Sequence, residues 1–220
     1  MLVYWSDTNF HPFTRMDYTA LAASEALAQT EAALKENGFL PESFATKEEA
    51  LARMKELIPA GASLMNGASK TLEEVGFIGY LKEGTHPWNN LHAAIVDETD
   101  AQKKADLRKA GILSDFYAGS AHAVTEDGQI VIASNTGSQL PHLAFTSPNI
   151  ILVVSTKKIV PTLDSAFARL REQVIPLEDE RMKGVYGYGT LWAKTLILHK
   201  ENVALGRQVH VLLVEEDLGF

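Results

Sequence analysis

Apolar and polar positions follow two different periods along this chain. The run Asn149-Ile-Ile-Leu-Val-Val154 is apolar almost without a break. A strand covered on both faces reads that way, because the helices that link parallel strands pack on both sides of the sheet. Shorter extended stretches over 39–44, 61–65, 114–117, 129–133, 195–198 and 208–214 predict further strands. Helical periodicity fills the gaps. Over 14–37, Leu21, Ala28, Ala32 and Leu34 fall near one face, Glu25, Gln29, Glu31 and Lys35 fall elsewhere, and Asn37-Gly38 is a stop signal. Thr46-Lys-Glu-Glu49 is a capping box, in which the Thr hydroxyl and the Glu carboxylate each satisfy a free backbone donor. The helix it starts runs to Ile58 and stops at Pro59. Three more helices are predicted over 72–81, 97–110 and 161–174, the last with Leu163, Phe167 and Leu170 on one side. Residues 140–145 suit a helical turn interrupted by Pro141. Residues 176–192 are the least regular: Gly184, Gly187 and Gly189 alternate with Tyr186, Tyr188 and Trp192, which suits a long loop or an aromatic lid.

Strand and helix alternate from residue 39 to residue 174, the pattern of an α/β layered fold with a mostly parallel sheet. A chain of 220 residues suits one large domain or two small ones. No repeat, low-complexity tract or linker divides it, so one domain over 1–220 is expected. Residues 1–13 form an irregular aromatic arm (Tyr4, Trp5, Phe10, Phe13) that packs on its own body or on a partner subunit, and helices fill 14–58.

The net charge of −8 argues against nucleic acid or an anionic membrane as partner, since both need basic patches. The absence of cysteine excludes disulfides, thiolate–zinc sites, a cysteine nucleophile and an iron–sulfur cluster held by this chain. No intrinsic cofactor is expected. The histidines at 86, 92, 122 and 142 lack the spacing of a helical metal pair, so no metal site is expected either. Met1-Leu-Val-Tyr-Trp-Ser-Asp7 lacks the basic and apolar regions of a signal peptide, and no window reaches the roughly 18 apolar residues of a spanning helix. A cytoplasmic protein is the expectation.

Three segments carry candidate chemistry. Asn66-Gly67-Ala68-Ser69-Lys70-Thr71 joins a strand to a helix, where free N–H groups, the Lys70 charge and the Ser69 and Thr71 hydroxyls suit an anion. The spacing is not that of a phosphate-binding P-loop, and the same residues suit a plain capped helix start with Glu73 and Glu74 in its first turn. Thr125-Glu126-Asp127-Gly128 is a turn sequence. Glu126 alone there is a candidate base or nucleophile. Ser134-Asn135-Thr136-Gly137-Ser138-Gln139 leaves a short apolar strand, and its amides and hydroxyls suit a carboxylate or phosphate, or again a cap. Ligands of open α/β sheets bind at such strand ends. The ligand-binding candidates are therefore Gly67, Ser69, Lys70, Thr71, Asn135, Thr136, Gly137, Ser138 and Gln139, with Glu126 as the catalytic candidate.

The order of these motifs resembles the lactate-utilisation (LUD) domain family, including its LutC-type subunits. The resemblance rests on Asn66-Gly-Ala-Ser-Lys-Thr-Leu-Glu-Glu74, Ala123-Val-Thr-Glu-Asp-Gly-Gln-Ile-Val131, the segment from Ile150 to Phe167 containing Val160-Pro-Thr-Leu163, and the ending from Leu205 to Gly219. It spans about residues 20–220. It implies a three-layer α/β sandwich like the NagB/RpiA/CoA-transferase group, and a role in oxidising L-lactate to pyruvate beside iron–sulfur partner subunits. Two departures are visible. Many short members carry a cysteine cluster where this chain has the cysteine-free stretch from Glu178 to Lys194. A Gly-Pro-Ser motif of LutC-type members is reduced here to Gly187 and Thr190. Three functions follow as expectations. The first is an accessory subunit of lactate oxidation that binds a small organic or phosphorylated anion. The second is an isomerase- or CoA-transferase-type enzyme using Glu126. The third is a ligand-sensing module that self-associates into a homo-oligomer.

Overall fold

The computed structural model describes residues 17–220, so the aromatic arm at 1–13 lies outside the described residues. In chain order the elements are α1 (Ser24–Glu36), β1 (Leu40–Phe44), α2 (Lys47–Leu57), β2 (Ser63–Asn66), α3 (Lys70–Glu74), α4 (Phe77–Glu83), β3 (Asn89–Asn90), α5 (Leu91–Asp97), α6 (Ala101–Ala110), β4 (Phe116–Gly119), β5 (Ala123–Thr125), β6 (Ile130–Ser134), β7 (Asn149–Ser155), β8 (Ile159–Val160), α7 (Leu163–Arg169), α8 (Ile175–Tyr186), β9 (Lys194–Leu198) and β10 (Gln208–Val214). Six strands make a wholly parallel sheet in the order β1-β10-β7-β4-β2-β3. The expected mostly parallel central sheet flanked by helices is what the chain forms.

The apolar run of β7 shows why. Ile150, Leu152 and Val154 face one core, and Ile151 and Val153 face the other. Alternate side chains of a strand point to opposite faces, so a strand buried on both must be apolar throughout. β10 divides in the same way, with Val209, Val211 and Leu213 on one side and Leu212 and Val214 on the other. Helices α2, α3 and α4 cover the second face through Ala50, Met54, Leu72 and Phe77. On the first face α1 is joined by a smaller sheet, ordered β8-β5-β6-β9, that the sequence reading did not separate from the large one. It too has two covered faces. Val124, Ile130 and Ile132 meet the large sheet, and Ala123, Val131 and Ala133 meet α7 and the turn after it.

Several local expectations hold, and others shift. The capping box is present in both halves, with Thr46 accepting from the Glu49 N–H and the Glu49 carboxylate accepting from the Thr46 N–H. The buried face of α1 is Leu27, Thr30 and Leu34; Leu21, Ala28 and Ala32 are exposed. The helix predicted over 72–81 is two helices that break at Gly76, the one over 97–110 is α6, and α5 before it is a helix the sequence reading did not predict. The largest difference is at 176–192, where α8 occupies the first half. A π-helical turn, Leu170–Val174, joins α7 to α8, whose second residue is Pro176. Its wider turn accommodates a ring that would meet the carbonyl four residues back in a regular helix. Ion pairs Glu178–Arg181 and Asp179–Lys183 then line the surface of α8, and Gly187 ends it in the left-handed region.

Candidate functional site

The strand order reverses between β2 and β4. From β2 the chain moves outward to β3; from β4 it moves the other way, to β7 and then β10. The two strands are neighbours, with Asn66 beside Ala118, so the loops leaving their carboxyl ends part company there and open a crevice. A cavity of about 440 Å³ occupies it. Its wall combines the loop after β2, the loop after β4 (Gly119 to His122), the loop after β6, Lys158 beyond β7, and the face of α8.

Lys158 is the central side chain. It ends the short 3-10 turn after β7 and is 3% exposed. Its Nζ donates to Thr71 Oγ1 at 2.8 Å, Ser120 Oγ at 3.2 Å and the Ala121 carbonyl at 3.4 Å. All three acceptors are neutral. The neighbouring Lys157 turns away to Asp217 and the Gly219 carbonyl. Burial, helped by the Arg169 and Lys157 charges, pushes the Lys158 amine down to about 7.

Two further groups surround it. His122 Nδ1 accepts from the Ala133 N–H at 3.1 Å, which leaves the ring proton on Nε2. Burial and the Lys158 and Arg169 charges push this imidazole down to about 3, so it is neutral at physiological pH. Arg169, fully buried, donates from Nε to the His122 carbonyl at 3.0 Å and from Nη1 to the Tyr18 carbonyl at 3.2 Å. Its Nη2 has no partner among the described residues, and burial lowers the guanidinium to about 10. Under the floor, the Tyr117 ring stacks on His142 at 4.7 Å, and a Cβ at Gly67 would lie 2.9 Å from the Tyr117 hydroxyl oxygen. Only glycine lets the backbone after β2 come this close. His142 belongs to a buried set with Ser147 (2.9 Å) and Ser114 (3.3 Å), and burial pushes it down to about 4.

The structure brings most of the sequence candidates together. Gly67, Ser69, Lys70, Thr71, Asn135, Thr136, Ser138 and Gln139 line the cavity. Their local chemistry is partly that of caps. Ser69 Oγ accepts from the Leu72 N–H at 3.3 Å, and Lys70 pairs with Glu73 (3.8 Å) and Glu74 (3.5 Å) on its own helix. In the loop after β6, Ser134 Oγ accepts from the Gly137 N–H at 2.9 Å and donates to Gln139 Oε1 at 3.0 Å, and Gln139 Nε2 donates to the Ala133 carbonyl at 3.3 Å. Gly137 is absent from the lining and lies against Lys194. Glu126 is absent from it too. Its N–H donates to the Val160 carbonyl at 2.9 Å, and its turn packs on the end of α1 through Asn37. Sequence reasoning missed Lys158, Ser120, His122 and Arg181 as lining residues. The available signal was the doublet Lys157-Lys158 directly after the buried run.

These features define a mixed α/β protein with a parallel central sheet and a polar cavity at its switch point. The LUD domain model matches residues 27–214, and the chain belongs to that family, the lactate-utilisation family that its motifs resemble. The crystal structure of a DUF162 family protein from Deinococcus radiodurans is similar in fold, with a TM-score of 0.50 and 15% identity over 89% of this chain and 99% of that one. No curated protein matches. Among the described residues, no helix is long and apolar enough to cross a membrane.

Proposed function

We propose that this LUD domain protein binds a small organic or phosphorylated anion in the switch-point cavity, as an accessory cytoplasmic subunit of L-lactate oxidation working beside iron–sulfur partners. One observation carries the anion: the Lys158 amine is buried in the cavity wall, and every acceptor it touches is neutral. The Glu74 and Asp217 carboxylates offset the cost of burying this ammonium only in part, and neither accepts its hydrogen bonds; an anion arriving beside it offsets the rest and restores its proton. Thr71 and Ser120 hold the amine in place, and their hydroxyls and the amides of the two loops supply further donors for an oxyanion.

Calorimetric titration with inorganic phosphate and with L-lactate tests the reading. The wild-type chain takes up at least one of them, and Lys158→Met weakens that uptake by tenfold or more, the scale of a charge-assisted contact of about 1.5–3 kcal/mol. Glu126→Gln, remote from the cavity lining, binds as the wild type does. Equal binding by wild type and Lys158→Met sinks the proposal. The lactate role is tested separately, by whether adding the protein changes lactate oxidation by its iron–sulfur partners.

A further inference from the structure

The cavity is too large for a three-carbon acid alone. Lactate has about six non-hydrogen atoms, and at roughly 30 Å³ for each water-sized volume it fills under half of the space. At about 440 Å³ the cavity falls within the roughly 300–1,000 Å³ of pockets that hold larger organic ligands. Its lining also joins two kinds of chemistry. One part is polar, from Thr71, Ser120 and Lys158. Another comes from α8 and the chain beyond it, where Tyr186, Tyr188 and Leu191 line the wall with 53%, 61% and 69% of their surfaces open. The two tyrosine rings lie 5.9 Å apart and tilted by 30°, and both residues are exposed. Large rings left uncovered at the rim of a cavity are unusual for a surface that binds nothing.

The lining also carries charge. Arg181 donates to both carboxylate oxygens of Glu178 at 2.7 Å, so the carboxylate that faces the cavity is already neutralised. Arg108 adds a cation to the lining.

Resting on the anion-binding reading, we infer that the ligand has two parts, an anionic end seated at Lys158 and a planar aromatic ring stacked on the Tyr186–Tyr188 pair, which is the chemistry of a nucleoside phosphate. Stacking a base on an aromatic side chain contributes about 1–3 kcal/mol, or roughly five- to 150-fold in affinity.

The test compares inorganic phosphate, adenosine and adenosine monophosphate (AMP) by calorimetry on the full chain. AMP binds at least about fivefold tighter than phosphate, and adenosine without its phosphate binds weakest. Replacing both rings, Tyr186→Ala with Tyr188→Ala, brings the ratio of AMP to phosphate affinity down to about one; both side chains are exposed, so their loss removes no core packing. Phosphate bound as tightly as AMP, or an AMP advantage that survives loss of both rings, overturns the two-part ligand and leaves the anion reading standing. Lactate uptake without any AMP uptake has the same meaning. No uptake of phosphate, lactate or AMP overturns both.

Discussion

At Lys158, His122 and His142 burial acts in one direction: the folded state holds fewer protons than the unfolded chain. The amine sits near 7 instead of about 10.5, and the imidazoles near 3 and 4 instead of about 6.5. Where the unfolded state binds more protons, stability rises with pH. The histidines therefore make stability fall as pH drops from about 6.5 towards 4 and 3, and Lys158 makes it climb from about 7 towards 10.5. Each group contributes up to about 1.4 kcal/mol per pH unit inside its window. Denaturant unfolding at pH 4.5, 6.5 and 9 checks both arms. His142→Gln flattens the acid arm. Lys158→Met flattens the alkaline arm, so its stability relative to wild type is greatest below pH 7 and declines above it. Parallel curves for wild type and Lys158→Met would mean that the amine keeps its ordinary value in the fold.

Among the elements, the turn between β5 and β6 is packed closely against α1. Gly128 has φ +82°, and a Cβ there would meet Asn37 Nδ2 at 2.7 Å and the α1 backbone at 2.8 Å. Gly61 has φ +80° with open space around it. Gly61→Ala therefore pays only for backbone strain, about 1 kcal/mol, while Gly128→Ala must also push the turn off α1 and costs clearly more. Thermal unfolding of the two variants checks this, and equal losses would show that the turn moves freely. The same turn marks how far the sequence could be read. Its Asp127-Gly128 chemistry, the Thr46–Glu49 capping box and the apolar run of β7 were legible because each is written in adjacent residues. The loops after β2 and β6 were legible as polar strand ends. What was missed depends on topology. Lys158 becomes a cavity residue only because β7 lies beside β4 in the sheet, and Glu126 leaves the cavity lining because the small sheet carries its turn to α1. The phase of α1 was misread because its alanines supply apolar periodicity on a face that nothing covers. In α8 the glycines at its end masked the helix-forming stretch before them.

For the molecule as a whole, the sign of its field is opposite to that of its cavity. The chain carries −8, yet among the described residues the lining holds Lys70, Arg108, Lys158 and Arg181 against the carboxylate of Glu178. Much of that local charge is tied up, with Lys70 paired to Glu73 and Glu74 and Arg181 paired to Glu178. Lys158 itself is too deep to project far into solvent. An approaching anion therefore meets repulsion at long range and attraction only at contact. Salt screens the first more than the second, because the Debye length shrinks from about 30 Å at 0.01 M to about 8 Å at 0.15 M, while a buried charge is screened little. The association rate of inorganic phosphate, measured by relaxation kinetics, should rise across that range while the dissociation rate changes less. A rate that falls with salt instead would mean that Arg108 and the mouth of the cavity dominate the approach, and that the protein steers its ligand in spite of its net charge.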